Sequence, residues 1–298
     1  MSPRLAVTEP GRLRAFLRLA LPGWKRATLE QRLATGCVRV NGRTVTRPDA
    51  PLDPGDEVAV LDPGESEAAG PARVAGGIEI LFADEHLVAI DKPAGLLSVS
   101  SAREREHTAL ALVRTALRGA RSELPLWPVH RLDRETSGLL LLARTQAARR
   151  TLQERWTEVT KLYLAVVEGV PEPPGGTIDQ PLLEDENLFV RVGERPGARA
   201  ARTRYATLRA AGGRALLEVQ LDTGHKHQIR AHLAWLGHPV VGDERYGRSE
   251  RNASRPAARL GLHAFRLELP HPAEGRRLSL EAPPPRAFEA LMPRAGSR

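Results

Sequence analysis

A chain of 298 residues accommodates two domains at roughly 150 residues each, and a composition of 41% hydrophobic and 27% charged residues is globular rather than disordered. Its one cysteine, Cys37, cannot form an intrachain disulfide, its apolar runs are near the length of Leu139–Ala143, and MSPRLAVTEPGRLR lacks a signal-peptide core. These features argue against secretion and a membrane-spanning helix and point to the cytoplasm, while a formal charge of +8 points to an anionic partner such as nucleic acid.

In chain order, residues 12–21 place Leu13, Phe16, Leu17 and Ala20 on one helical stripe, with Arg14 and Arg18 outside it and Pro22-Gly23 ending the helix. Thr28 with Gln31 three residues later predicts a capping box for a second short helix, and Gly36 a left-handed stop after it. VRVNGRTV alternates about Asn41-Gly42, a hairpin signal, and GDEVAVL supplies another strand. Residues 1–61 carry a net charge of +4, with Arg14, Arg18, Lys25 and Arg26 near the first helix and turn. This order of elements, with Leu21-Pro22, Gly36, Val38, Val40, Asn41-Gly42 and Gly55-Asp56 in place, resembles the small α/β RNA-binding domain named after ribosomal protein S-four. The resemblance implies that the basic helices dock on RNA phosphates.

Residues 62–77 are rich in Gly, Pro, Ala and acid without periodicity, which predicts a flexible linker before a second domain at 78–298. There, IEILFAD and HLVAIDKP read as strands, TALALVRTALRG as a helix, LLLLA as a buried strand and residues 146–157 as a helix capped by Thr145. KLYLAVVEG, TRYATL, RALLEVQLDTG, LGLHAFRLELP and RRLSLEA continue as strands, interrupted by a helix at HQIRAHLAWLG. A long strand series with few helices predicts an α+β fold with a large, mainly antiparallel sheet and flanking helices.

Three segments carry candidate chemistry. In HRLDRETSG, Asp133 lies between Arg131 and Arg134 in a loop feeding the buried strand, with Gly138 expected to let the chain turn sharply. A carboxylate at the mouth of a sheet suits a nucleophile or base, although it also suits an ion cluster at a turn. Tyr163 starts KLYLAVVEG, and Arg230 falls in the first turn of the helix within LDTGHKHQIRAHLAWLGHPVVGDERYG. The four lysines, Lys25, Lys92, Lys161 and Lys226, all fall in these or neighbouring motifs of an otherwise arginine-dominated chain.

HRLDRETSGLLLLAR, KLYLAVVEG, TGHKHQIRAHLAWLGHPVVGDERYG and LGLHAFRLELPHP, in that order with DKPAGLLSV upstream, resemble the RluA-type RNA pseudouridine synthases over about residues 78–292. The resemblance implies the pseudouridine synthase fold, with Asp133 as catalytic aspartate, Tyr163 as active-site tyrosine and Arg230 as the basic residue paired with the aspartate. Arg131, His130, Lys226, His227 and Gln228 become candidate substrate contacts, with Arg131 either filling the space of a flipped-out uridine or standing as an ordinary phosphate-binding or surface arginine. One departure is that the family commonly has Gly-Arg-Ser/Thr-His-Gln where this chain has Gly224-His225-Lys226-His227-Gln228. The implied reaction reattaches uracil to the same sugar through ring carbon five, so no cofactor and no metal are expected. The partner is RNA, with large-subunit ribosomal RNA first and tRNA as alternative, and the expected state is a monomer.

Two hydrolytic chemistries and one non-enzymatic role compete with this reading. A metal hydrolase using His225, His227, His232 and His238 is disfavoured because His227 and His232, five apart, lie about 140° apart on a helix. A glycosidase needs two facing carboxylates, and Asp133 and Glu135 lean to opposite sides of an extended loop. A ribosome-assembly protein with an inactive synthase fold is disfavoured by intact Asp133, Tyr163 and Arg230.

Overall fold

The structure, a computed structural model, describes residues 4–34, 37–45, 48–61, 72–102, 104–118, 125–247 and 259–293. The chain divides into two compact units: Met1–Asp91 with Val99–Val129 and Leu141–Arg149, and Lys92–Ser98 with His130–Leu140 and Arg150–Arg298. This division does not fall at the 61/78 boundary expected from composition.

The first unit opens with β1 (Arg4–Ala6), β2 (Gly11–Arg12), α1 (Leu13–Ala20), α2 (Arg26–Ala34), β3 (Val38–Val40), β4 (Arg43–Thr44), β5 (Pro51–Leu52) and β6 (Glu57–Val60). A sheet in the order β1-β6-β3-β4 covers a core in which α1 buries Leu13 and Leu17 against Leu29, Leu33, Val38 and Val58. The expected hairpin is present: Asn41 at φ 52° and Gly42 at φ 76° make the two-residue turn whose positive dihedrals match strand twist. Asn41 also ties this turn to β6, donating to Asp56 Oδ1 at 2.7 Å and accepting from Glu57 N–H at 2.9 Å. The expected capping box is not what starts α2. The helix begins at Arg26, and the Thr28 N–H already bonds the Lys25 carbonyl at 2.9 Å, so Thr28 lies inside the first turn. Gly36 lies outside the described residues.

The expected flexible linker is corrected at its C-terminal end, while residues 62–71 lie outside the described residues. Strand β7 (Ala72–Val74) pairs antiparallel with β8 (Ile78–Ala83), joined by a turn in which Gly76 and Gly77 take φ 75° and 74°. The glycines that suggested looseness make a tight reversal that residues with a Cβ resist. Next come β9 (Leu87–Lys92), α3 (Ala109–Arg118), β10 (Trp127–Pro128), β11 (Ser137–Ala143) and α4 (Gln146–Glu154). Thr145 Oγ1 caps α4 by accepting from Ala148 N–H at 3.0 Å, as expected, but the helix ends at Glu154 and a separate 3₁₀ turn covers Trp156–Glu158.

The second unit carries β12 (Thr160–Glu168), β13 (Gly175–Asp179), β14 (Leu182–Glu184), β15 (Val190–Val192), β16 (Arg202–Ala211), β17 (Arg214–Leu221), α5 (Gln228–Trp235), β18 (Leu262–Pro270) and β19 (Arg277–Glu281). Its strands run in the order β13-β16-β17-β12-β18-β11, with β19 on β18 and a separate β14–β15 hairpin. All these pairings are antiparallel except β11 with β18, which makes the sheet mixed as expected. Ala165, Val167, Leu217, Val219, Ile229, Leu233 and Leu262 form a core between this sheet and α5. Gly138 does not turn the chain. It sits in β11 at φ 110° opposite Ala264, where a Cβ would stand 2.2 Å from the Ala264 carbonyl oxygen, so glycine permits the parallel strands to approach.

Candidate active site

The loop bearing Asp133 is held from both sides by the segment at 92–98. The Ser98 hydroxyl donates to the Leu132 carbonyl at 2.8 Å and accepts from the Leu132 N–H at 3.0 Å. Gly95 N–H bonds the Arg134 carbonyl at 2.8 Å, and the fully buried Lys92 ammonium reaches the carbonyls of Pro93, Leu96 and Arg134 at 2.9, 2.8 and 3.2 Å. Leu132 and Thr136, on either side, are buried. Asp133 is therefore fixed by backbone bonds before any side chain touches its carboxylate.

Tyr163 comes from β12 at a bulge: Leu162 faces Arg266 and Tyr163 faces Ala264, so Phe265 is skipped and the register re-aims the ring. Asp133, Tyr163, Arg131, His227, Arg230 and Leu262 together line a cavity of about 60 Å³. Burial, and then the charge of Asp133, push the Tyr163 phenol above its ordinary pKa, so it remains protonated at neutral pH. A protonated phenol stacks on a base and donates a hydrogen bond; it is a poor acceptor for the carbon-five proton.

Arg230 is buried, in the first turn of α5, and its main partner is one that its position in the sequence did not reveal. Its Nε and Nη2 bind the two carboxylate oxygens of the fully buried Asp243 at 2.7 and 2.9 Å, while Nη1 stands 3.4 Å from Asp133 Oδ2. Burial opposes the guanidinium charge, but bonding and charge from Asp243, then from Asp133, outweigh it and raise its pKa. Asp243 is delivered by the stretch after α5: Val241 N–H bonds the Val166 carbonyl at 2.8 Å, along β12, and Asp243 then accepts from the N–H groups of Arg245 and Tyr246 at 3.0 Å each. The only sequence signal was the quoted VVGDERYG segment, to which no role had been attached.

His227, just before α5, holds φ 53°, and its Nε2 lies 3.7 Å from Asp133 Oδ2. Tyr246 supplies the other side: its hydroxyl oxygen accepts from Val190 N–H at 3.1 Å and lies 2.9 Å from His227 Nδ1. Either group can donate in this bond; with the hydroxyl proton given to Nδ1, His227 presents Nε2–H to Asp133. Burial lowers the His227 pKa, the Asp133 charge opposes that, and Arg230, Arg245 and Lys226 lower it further, so the ring is neutral at neutral pH. The Tyr246 ring also faces the Arg230 guanidinium at 5.4 Å.

The other expected contacts divide. Arg131 is exposed at the cavity, and among the described residues its side chain makes no ion pair or hydrogen bond. His130 stacks on Trp156 with centroids 5.1 Å apart, and burial, only partly offset by a bond to Arg131, pushes it down to about 4. It offers a neutral ring rather than a cation. Lys226 is bonded to Glu184 and to the Leu188 carbonyl, so its charge is already compensated. Gln228 is corrected outright. It is buried, its amide oxygen accepts from Thr223 Oγ1 and His225 N–H at 2.9 and 3.0 Å, and its amide Nε2 donates to Arg202 O and Thr203 Oγ1, both at 3.0 Å. No polar valence of that amide is left for RNA.

In the first unit, Arg14 and Arg18 line a cavity of about 340 Å³ with Arg12. Arg26 bonds Glu30 at 3.0 Å, and Arg14 Nε stands 3.9 Å from the same carboxylate. Lys25 and Arg18 are exposed. Among the described residues there is no cluster of three or more His, Cys, Asp or Glu placed for a metal, and no helix is long and apolar enough to cross a membrane. His232 is spent between Thr203 Oγ1 at 2.8 Å and the Gln180 carbonyl at 2.9 Å, and His238 bonds the Glu168 carbonyl at 3.0 Å.

This arrangement of strands and loop is a pseudouridine synthase fold: it superposes on the solved structure of human RNA pseudouridylate synthase domain containing 4 with a TM-score of 0.59 at 31% identity, over 70% of this chain and 90% of that one. Residues 86–235 match the RNA pseudouridylate synthase family and residues 11–58 match the S4 domain, inside the 1–61 region assigned from its motifs. The chain is 35% identical to ribosomal large subunit pseudouridine synthase D of Nitrosomonas europaea, across 94% of this chain and 83% of the relative. It is 33% identical to ribosomal large subunit pseudouridine synthase C of Salmonella typhimurium, across 97% and 94%. The chain belongs to the RNA pseudouridylate synthase family and is an isomerase that acts on RNA, converting uridine to pseudouridine.

Proposed function

We propose that the RNA is the large-subunit ribosomal RNA and that Asp133 carries the chemistry, with Tyr163 against the base and Arg230 positioning the carboxylate. The observation that carries the site assignment is the Asp133 carboxylate, one-quarter exposed in the cavity, faced by Tyr163, by the Arg230 Nη1 at 3.4 Å and by His227. The carboxylate either attacks the anomeric carbon of the uridine or takes its 2′ proton; either route breaks the glycosidic bond without a cofactor. The freed uracil turns, rejoins the sugar through carbon five, and loses the carbon-five proton. Because the target lies in structured RNA, it is flipped out at a cost of about a few kcal/mol for unstacking, and Arg131 at the cavity mouth fills its place.

The ribosomal target rests on the names of the relatives, two of which are ribosomal large subunit pseudouridine synthases. Arg18 and Lys25, exposed on the S4 domain, add phosphate contacts there. The reading includes a single chain working in the cytoplasm, and size-exclusion of the complex with RNA is expected to give one protein per RNA. Pseudouridine maps of total RNA from wild-type and deletion cells test the target: loss of one or a few large-subunit sites supports it, and losses confined to tRNA replace it.

A further inference from the structure

A second cavity, of about 210 Å³, adjoins the catalytic one in the same unit, and His225 lines both. It is lined by the β14–β15 hairpin, with Leu183, Glu184 and Val190, by Arg199, whose backbone pairs with Leu182 of that hairpin, and by Lys226. The hairpin is rigidly seated. Asp185 Oδ1 caps its turn by accepting from Asn187 and Phe189 N–H at 3.0 and 2.9 Å, Val190 N–H bonds Tyr246, and Arg245 bonds the carbonyls of Asn187 and Leu188. Arg191 and Arg245 also lie over the Phe189 ring at 4.6 and 5.4 Å. Thus the segment that presents Asp243 to Arg230 also holds this wall, and the cavity keeps its shape without a ligand.

The charges in the cavity are unequal in availability. The Lys226 ammonium is bonded to the Glu184 carboxylate, whereas the exposed Arg199 side chain makes no ion pair or hydrogen bond among the described residues. One uncompensated guanidinium beside the partly exposed Leu183 side chain, next to a site that takes a uridine within a strand, matches one nucleotide: phosphate on the cation, base on the leucine. We propose that this cavity is a subsite for a nucleotide adjacent to the target uridine on the same RNA strand, with its phosphate on Arg199 and its base against the partly exposed Leu183. The Lys226–Glu184 pair offers hydrogen-bond donors and an acceptor to the base edge while adding no net charge. The inference rests on the reading of the neighbouring cavity as the uridine site.

The test measures tritium release from carbon-five-labelled uridine in transcribed large-subunit ribosomal RNA and in total tRNA, across a salt series, with the full chain. Arg199→Ala raises KM about tenfold, the factor for one charge-assisted contact, with kcat unchanged. It also flattens the plot of log affinity against log salt by about 0.7, one single-strand phosphate. Glu184→Gln does the opposite, steepening the slope by about 0.7 because it frees the Lys226 ammonium. An Arg199→Ala enzyme with wild-type KM and slope overturns the subsite, and so does a raised KM with an unchanged slope, which would assign Arg199 to a protein contact. Failure of the wild-type chain to release tritium from either RNA would instead overturn the reading of the catalytic cavity, so the two failures are distinct.

Discussion

Arg230 is bound by Asp243 through two short hydrogen bonds, 2.7 and 2.9 Å, and this grip leaves only its Nη1 directed at Asp133, 3.4 Å away. The guanidinium is therefore aimed by a carboxylate that does not line the cavity. Removing that carboxylate leaves a buried cation with only the longer contact to Asp133, a loss on the scale of about 3–5 kcal/mol for breaking a buried ion pair. Asp243→Ala should lose about that much in denaturant unfolding and most of its turnover. The double substitution Arg230→Met with Asp243→Leu should recover much of the stability, since neither charge remains, while turnover stays low. Recovery of turnover in the double variant would strip Arg230 of its positioning role.

Asp133→Asn keeps the loop intact, because that loop is tied by Ser98, Gly95 and Lys92 through backbone atoms. The variant should bind RNA as tightly as wild type and release no carbon-five hydrogen. Substantial release by the folded variant would falsify the assignment of Asp133.

His227 titrates in a defined direction. Its folded pKa lies below the ordinary 6.5, so the neutral ring dominates at neutral pH and the proton is taken up only as pH falls below that value. The Asp133 charge favours the protonated ring, hence Asp133→Asn should lower the midpoint further. Ring nitrogen NMR checks both points, together with a proton on Nε2 rather than Nδ1 at neutral pH. A midpoint that rises in Asp133→Asn contradicts the electrostatics described for this site.

Gly138→Ala places a methyl group 2.2 Å from the Ala264 carbonyl oxygen, at φ 110° where a Cβ is already strained. Since backbone rather than a flexible side chain is the obstacle, the parallel β11–β18 pair must separate. A loss of about 3 kcal/mol or more in unfolding free energy is expected. Near-wild-type stability would show that the strands can relax apart.

On the S4 domain, Arg18 and Lys25 are exposed and free of ion pairs among the described residues, in contrast to Arg26, which bonds Glu30. Arg18→Ala and Lys25→Ala should each weaken RNA binding and flatten its salt dependence by about 0.7–0.9, leaving kcat at saturating RNA unchanged. Arg26→Ala should change the slope less. Equal effects from all three would mean that the Glu30 pair opens on binding.

Elements whose signals are local were legible in the amino-acid order. The α1 stripe, the Asn41-Gly42 turn and the Thr145 cap depend on neighbours a few residues away, and each formed as read. Asp133, Tyr163 and Arg230 were likewise legible, as motifs in order, and the chain brings all three to one cavity. The partner of each polar group was fixed only by folding, because hydrogen bonds to residues far along the chain leave no periodicity. Gln228 looked available for RNA until Thr203 and Arg202, from β16, occupied its amide, and Lys226 looked like a free cation until the hairpin brought Glu184 to it. Gly138 was read as a turn because glycine's freedom is visible in sequence, whereas the strand pressing against it, 126 residues later, is not. Asp243 went unassigned for the same reason: a carboxylate aimed at Arg230 requires both the end of α5 and the chain's return along β12, and that geometry exists only once the sheet has closed around it.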